Sequence, residues 1–321
     1  MRWRGRIFLV LLALLALARA GRLAVEQTYD GPGAGKTNVT VVIPPGSSTG
    51  VAGTLATAGV IQFPLALRAA AWFTRKDGPL RAGEYLFPAH ASLHQILNIL
   101  RHGAEVQHQA TIPEGLTGQQ IATIIKALPV ATGSIHPPAN GSVLPQTYDY
   151  VWGASRAAIL ARAQAAMQAL LAKDWAGRAD GLPLASPRQA VILASIVQQE
   201  TPLNGDMPLI AAVYENRLEA GMKLQADPTV IFAVSGGRQS GGMSITRADL
   251  ALDSPYNTYV VNGLPPGPIC SPGAAALAAV LHPAQTDALY FVAADNGTHQ
   301  SVFAHSFKEQ LKNIQHLRGQ Q

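Results

Sequence analysis

Apolar and polar positions along the chain repeat with periods that predict its elements. From Thr37, TNVTVVIP alternates in the manner of a half-buried strand. Residues 48–61, STGVAGTLATAGVI, have helical spacing, with Ser48 as the cap. A second helix covers roughly 64–75. The stretch 81-RAGEYLFPAHASLHQILNILRHG-103 reads as a short strand, a turn and a helix closed by Gly103. EVQHQATIPEGLT is then a strand and turn, and 118-GQQIATIIKAL-128 another helix. Residues 129–147, rich in Pro, Gly and Ser, mark a loop or domain junction. Helical patterns dominate from Ala154 to Leu250. Near the end, 288-ALYFVAADNGTHQSVFA-304 reads as two strands around Asn296-Gly297, a hairpin signal. The pattern predicts an α+β fold with two subdomains.

The N-terminus departs from this pattern. Three arginines in MRWRGR precede an unbroken apolar run from Ile7 to Ala18, and Arg19 and Arg22 follow it. Positive charge ahead of such a run holds the N-terminus in the cytoplasm and sends the rest across the membrane. The run suits a signal-peptide core, and Ala18-Arg19-Ala20 has the small-x-small form of a cleavage site. Extended to Val25, it reaches anchor length with two arginines near its end. Residues 26–36 are polar and Gly-rich, as a linker leaving the membrane would be.

Composition narrows the function classes. The 321 residues are 48% hydrophobic and 13% charged, with a net charge of +5. That is enough to bury a substantial core in about two domains. The densest basic cluster is terminal, and no basic-aromatic stripe of a nucleic-acid binder is present, so no nucleic-acid partner is expected. GPGAGKT imitates a phosphate-binding loop, but the position that should hold its first glycine is Asp30, and the loop precedes its strand. Cys270 is the single cysteine, so no internal disulfide can form, and its expected role is packing. The nine histidines are scattered, and His299 and His305 flank a predicted strand. No cysteine or carboxylate cluster accompanies them, so neither metal nor cofactor is expected.

Chemistry concentrates in 190-AVILASIVQQETP-202. Ser186-Pro187-x-Gln189 is a complete helix start, and Thr201-Pro202 ends that helix. Glu200 therefore sits in the last turn, on one face with Val197, Ile196 and Leu193. Desolvation on that face and the negative end of the helix dipole both favour the protonated carboxyl. A carboxyl that keeps its proton near neutrality is what protonating a departing sugar oxygen requires. The alternative is a capping or salt-bridged glutamate.

Glu200 does not stand alone. The motif ILASIVQQETP is followed by 212-AVYENRLEAGMKLQADPTVIFA-233, by 254-SPYNTYVVNGLPPGPICSPGAAAL-277 and by LHPAQTDALYFVA from Leu281. In that order, from about Thr37 to Arg318, these segments resemble the endolytic murein transglycosylases, the YceG-like family. Residues 81–100 look like that family's LysM-like subdomain. The resemblance implies a cytoplasmic basic tip and transmembrane anchor at 1–25 and a linker at 26–36. It implies a LysM-like subdomain at 37–112 and, at 113–321, a mostly helical catalytic domain with a lysozyme-like glutamate helix. It favours an anchor over a cleaved signal, in a single-pass inner-membrane protein whose catalytic domain is periplasmic.

By the same resemblance, Glu200 is the acid/base of a lyase that cuts between N-acetylmuramic acid and N-acetylglucosamine. The product carries a 1,6-anhydro end. The role implied is limiting the length of nascent peptidoglycan strands, near the peptidoglycan synthases. Asn216, Arg217, Gln225, Asp227, Tyr256, Asn257 and Tyr259 look site-lining by resemblance. Each also has an ordinary reading: Asn216, Arg217 and Gln225 as scaffold, Asp227 as a turn residue, the tyrosines as core. A two-carboxylate hydrolase is the chemical rival, with Asp206, Glu215, Glu219 and Asp227 as the nearby acids. Of these, Asp206 reads as a helix cap, and Glu215 and Glu219 as a solvated face. Ser271-Pro272 reads as the cap and first position of a further helix. The chain departs from the family at Gln146 and Gln198, where acids are usual. A non-catalytic, membrane-anchored glycan-binding scaffold is the competing function.

Overall fold

Two antiparallel strands organise the first of two units in this computed structural model, which describes residues 2–294 and 300–318, side chains of 2–13, 18 and 318 excepted. That unit comprises Met1–His108 and Asp149–Ala154. It runs α1 (Arg2–Asp30), β1 (Val39–Ile43), α2 (Ser48–Thr57), α3 (Pro64–Phe73), β2 (Gly83–Phe87) and α4 (Leu93–His102). Strands β1 and β2 pair with Val41 opposite Tyr85 and Ile43 opposite Gly83. Alternation sends Val41, Ile43, Tyr85 and Phe87 to one face, where they meet Leu55, Leu67, Ile96, Leu97 and Leu100 from the helices. Each of these large side chains contributes roughly 1.5–3 kcal/mol by leaving water.

Local sequence accounts for most of the boundaries. Ser92 accepts from the Gln95 N–H while the Gln95 side chain accepts from Ser92 N–H, which fixes the start of α4. Gly103 ends α4 with φ −62° rather than in a left-handed turn. What requires glycine there is space, because a Cβ would lie 2.6 Å from the Ile99 carbonyl oxygen. Two expectations need correction. The cap of α2 is Ser47, which accepts from Gly50 N–H, and Ser48 is already helical. Residues 26–30, expected in a linker, continue α1, and Tyr29 and Asp30 tie its end to His94 of α4 by stacking and a 3.1 Å contact. Among the described residues no helix is long and apolar enough to cross a membrane. The expected span lies mostly on residues whose side chains are not described.

The second unit comprises Gln109–Tyr148 and Ser155–Gln321. In chain order the elements are β3 (His108–Thr111), α5 (Gly118–Lys126), β4 (Thr147–Tyr150), α6 (Arg156–Ala176) and α7 (Pro187–Glu200). Next come α8 (Met207–Glu219), α9 (Asp227–Val234), α10 (Arg247–Leu250) and α11 (Ala274–Leu281). β5 (Tyr290–Ala293), β6 (Ser301–Ala304) and α12 (Phe307–Arg318) finish it. Strands β3 and β4 pair, as do β5 and β6, the latter antiparallel. The expected Asn296-Gly297 turn and His299 lie outside the described residues. The α+β reading stands.

Helix α7 is the core of this unit. Every residue from Ala190 to Val197 is buried, which an all-round apolar helix requires of its surroundings. Its one polar core residue, Ser195, donates to the Ile192 carbonyl and accepts from Ile269 N–H. The Cys270 thiol donates to the Ser195 carbonyl, so the cysteine is a packed core residue. Next to it, Ser271 exchanges two backbone hydrogen bonds with Gly115 and Leu116. Ser271 is therefore held in a backbone pairing, and the N-cap of α11 is Gly273, not Ser271.

Candidate active site

The end of α7 is set by Pro202, which drives Thr201 into extended geometry at φ −146°, ψ 140°. Glu200 is thus the last helical residue. The two glutamines before it secure this end. Gln198 accepts from Gly273 N–H at 2.8 Å, and Gln199 donates to the Gly115 carbonyl at 2.6 Å. Gly115, at φ +77°, is also where a Cβ would come within 2.6 Å of the Gln199 amide. The glutamine side chains are engaged in structure, which leaves Glu200 as the free carboxyl of the motif.

Helix α8 brings the first partner. The Tyr214 hydroxyl donates to Glu200 Oε1 at 2.5 Å. Tyr214 is buried, its ring edge-on to Phe291 of β5 with centroids 5.8 Å apart. Three residues on, and so on the same face of α8, is Arg217. Its guanidinium donates to the carbonyls of Leu289 and Leu224 and lies 5.3 Å from the Tyr290 ring centre. Asp227 opens α9 and accepts the Tyr259 hydroxyl at 2.6 Å.

Two loops carry this second pair and are bonded to each other. Gln225, at φ +52°, donates its N–H to the Thr258 carbonyl, and Ala226 N–H donates to Thr258 Oγ1. Thr229 and Thr258 share a further 2.8 Å bond. Fully buried Asn257 donates to the carbonyls of Asp249, Leu250 and Leu252 and accepts from Tyr259 N–H. That network orients Tyr259 toward Asp227.

The electrostatic result is a carboxyl poised near neutrality. Burial pushes the Glu200 pKa up to about 7, and the negative charge of Asp227 pushes in the same direction. The Tyr214 bond and the Arg217 charge pull it back, because both favour the carboxylate. Tyr214 itself is held well above the ordinary phenol range, by burial first and then by Glu200. Its hydroxyl therefore remains a donor, and its proton is committed to Glu200 Oε1. Tyr259 is raised as well, by burial and by its bond to Asp227.

Of the residues expected to line the site, Glu200, Arg217, Asp227 and Tyr259 form one electrostatic cluster. Asn216 is turned the other way, its amide donating to the carbonyls of Thr286 and Ala288. Asn257 acts beneath the surface, and Gln225 stands exposed on its turn. Tyr256 is half-buried against Phe232, with ring centres 4.7 Å apart. Of the rival acids, Asp206 stands at the N-cap of α8 as expected, but its side chain makes no capping bond and accepts from Ser301 N–H of β6 instead. Glu215 is not on a solvated face: it is buried, its Oε1 has no hydrogen-bond partner among the described residues, and burial pushes its pKa up to about 8. Tyr214 escaped the sequence reading. Its signal is its spacing from Arg217 in AVYENRL, which puts both on one helical face.

A protein-family model, described as the YceG-like family, matches residues 41–316. A relative from Bacillus subtilis (strain 168), named endolytic murein transglycosylase, is 41% identical over 127 residues, or 40% of this chain and 34% of the relative. A relative of the same name from Streptococcus pneumoniae serotype 2 (strain D39 / NCTC 7466) is 28% identical over 338 residues, covering 89% of this chain and 60% of the relative. The chain thus spans less than two thirds of the length of either. The crystal structure of a yceG-like protein from Listeria monocytogenes superposes with a TM-score of 0.53 at 30% identity, covering 87% of this chain and 99% of that one. The family match takes in all the residues of the cluster around Glu200, and the chain belongs to the YceG-like family.

Proposed function

We propose that the chain is an endolytic peptidoglycan lytic transglycosylase. It cuts the bond from N-acetylmuramic acid to N-acetylglucosamine within glycan strands and leaves 1,6-anhydro ends. The observation that carries this reading is Glu200: a half-buried carboxyl at a helix end, raised to about 7 and, among the described residues, hydrogen-bonded through Oε1 by Tyr214. The names of the Bacillus and Streptococcus relatives support it.

On this reading each proton has a place. Tyr214 occupies Oε1 as a donor, so neutral Glu200 carries its proton on Oε2, free to face a substrate. Glu200 gives that proton to the glycosidic oxygen as the C1–O bond breaks. Positive charge develops at C1, and two groups answer it: the substrate's own N-acetyl oxygen and the Asp227 carboxylate, whose charge already reaches Glu200. The sugar's 6-hydroxyl then attacks C1, its proton passes to the Glu200 carboxylate, and the acid is restored. Tyr214 and Arg217 stabilise the carboxylate between the two transfers. No water is consumed.

In this reading the part of the first unit built from the β1–β2 pair and helices α2, α3 and α4 serves as a LysM-like glycan-holding module. The segment from Ile7 to Val25 anchors the chain in the inner membrane as a single pass, N-terminus inside. The catalytic unit works on the periplasmic face, beside the synthases whose strands it shortens.

Asp227 also supports a second reading, a hydrolase in which two carboxylates activate water. Incubating the full chain with peptidoglycan and weighing the products decides between them. Anhydromuramyl ends are expected. Reducing ends would assign the hydrolase, and intact strands a binding scaffold. Glu200→Gln should lose at least ~1,000-fold in rate while its circular dichroism spectrum is unchanged. Cleavage by that variant at the normal rate would falsify the assignment of Glu200.

A further inference from the structure

Helix α3 of the first unit is built inside out. Its buried side is Leu67 and Ala71, whereas Leu65, Trp72 and Phe73 are 73%, 59% and 74% exposed, and Phe63 just ahead of the helix is 63% exposed. At 100° per residue, Leu65, Ala69, Trp72 and Phe73 fall on one outward face. That is the sidedness of a helix whose outer face is meant to leave water. Three exposed cations stand with it: Arg68, Arg75 and Lys76. The Arg75 guanidinium lies 4.6 Å over the Trp72 ring. The acid that follows Lys76, Asp77, is exposed and paired with Arg101 at 3.6 Å.

The apolar face continues onto α1. Ala24, Val25, Thr28 and Tyr29 form one wall of a cavity of about 470 Å³, and α3 residues such as Ala70 and Phe73 form the other. Leu14, Leu15, Leu17, Leu23 and Val25 along α1 are themselves exposed. Because α1 is one continuous helix to Asp30, distance along it can be counted. A span of anchor length ends near Val25, and from there to Tyr29 the helix rises about 6 Å at 1.5 Å per residue. The headgroup zone on each side of a bilayer's hydrocarbon is roughly 5–8 Å deep. The α3 face that shares the cavity with Ala24, Val25, Thr28 and Tyr29 thus stands at the level where the acyl chains end and the headgroups begin.

We propose that this face of α3 docks on the anionic phospholipid surface beside the entry point of α1. Trp72, Phe73 and Leu65 would sit at the acyl–headgroup boundary, with Arg68, Arg75 and Lys76 against phosphates. A surface on which three exposed cations outnumber one paired acid, interleaved with aromatic and aliphatic groups, complements anionic lipid. The consequence is an oriented first unit, held against the bilayer at two points rather than tethered at one. This rests on the reading of α1 as a membrane segment, and not on the chemistry of Glu200.

The test uses the full chain with Trp72→Cys, labelled with an environment-sensitive fluorophore; the native Cys270 is buried and unreactive. The protein is reconstituted into phosphatidylcholine vesicles with or without phosphatidylglycerol. A lipid bearing a nitroxide near the headgroup end of its chain serves as quencher. The expected result is a blue shift and about twofold or greater quenching that grows with phosphatidylglycerol. Arg68→Glu with Arg75→Glu should abolish both while the protein still floats with the vesicles. A chain that floats with a label that stays aqueous and unquenched overturns the proposal and leaves the anchor standing. A chain that fails to float overturns both. A signal that follows protein concentration instead of lipid identifies a second copy as the occupant, and equally overturns it.

Discussion

The Tyr214 hydroxyl, carried by α8, donates to Oε1 of Glu200 at the end of α7 across 2.5 Å. It is the strongest single pull toward the carboxylate that Glu200 experiences, set against the burial that raises it to about 7. Removing the hydroxyl should therefore move the pKa upward. For Tyr214→Phe we expect the alkaline limb of the pH–rate profile to shift to higher pH while the maximal rate falls about 10- to 100-fold. The fall comes from losing the donor that stabilises the carboxylate between the two proton transfers. An unshifted limb, measured on peptidoglycan with product quantitation, would reduce Tyr214 to a packing residue.

In the parent protein the chemistry starts with a protonated acid. Activity should be full below about 7 and fall as pH rises through it, because Glu200 then loses the proton it must donate. A pH–rate profile with no descending limb between neutrality and pH about 9 would contradict this.

Asp227 pushes Glu200 the other way. Asp227→Asn removes a negative charge, so the descending limb should move to lower pH, opposite to Tyr214→Phe. The rate should fall by about 10- to 1,000-fold if the carboxylate answers charge at C1. Tyr259→Phe, which releases Asp227 from its 2.6 Å bond, should show a milder loss of the same kind.

Glu215 predicts a stability effect separate from activity. Its pKa is about 8 in the folded chain against an ordinary 4.5, so between those values the native state holds a proton that the unfolded chain has lost. Stability must then decline as pH rises from about 4.5 to about 8. Glu215→Gln keeps the shape, carries no charge, and should flatten that decline, gaining on the order of a few kcal/mol at pH about 8.5. Denaturant unfolding of both proteins at acidic and alkaline pH reads the difference directly. Equal slopes would mean that the Glu215 carboxyl meets water in the native state.

Asn257 should matter without touching substrate. It satisfies three carbonyls and aims Tyr259, so Asn257→Ala ought to cost about 1–3 kcal/mol and loosen the Tyr259–Asp227 pair. Thermal unfolding and the pH–rate profile together should show both effects. A variant of parental stability would place those carbonyls in water.

Much of this molecule is local, and the local part was legible. Alternation in TNVTVVIP, the Ser186-Pro187-x-Gln189 helix start, the Pro202 stop and the apolar face under Glu200 each follow from steric and hydrogen-bonding rules acting within a few residues. The sequence by itself thus determined the α+β elements, the end of α7 and the carboxyl placed there. What it left undecided depends on residues far apart in the chain. Asp206 is the N-cap its neighbours suggest, but the bond of its side chain to the backbone of Ser301 is invisible from them. Glu215 looked solvated because only the folded chain covers it. Tyr214 went unnoticed for the same reason: its hydroxyl meets Glu200 only when α8 packs on α7. The pairing of Asp227 with Tyr259 likewise requires two loops bonded through Thr229 and Thr258. A carboxyl's location can be read from a helix pattern, but its pKa is a sum over charges and donors brought close by packing. That sum exists only in the tertiary structure.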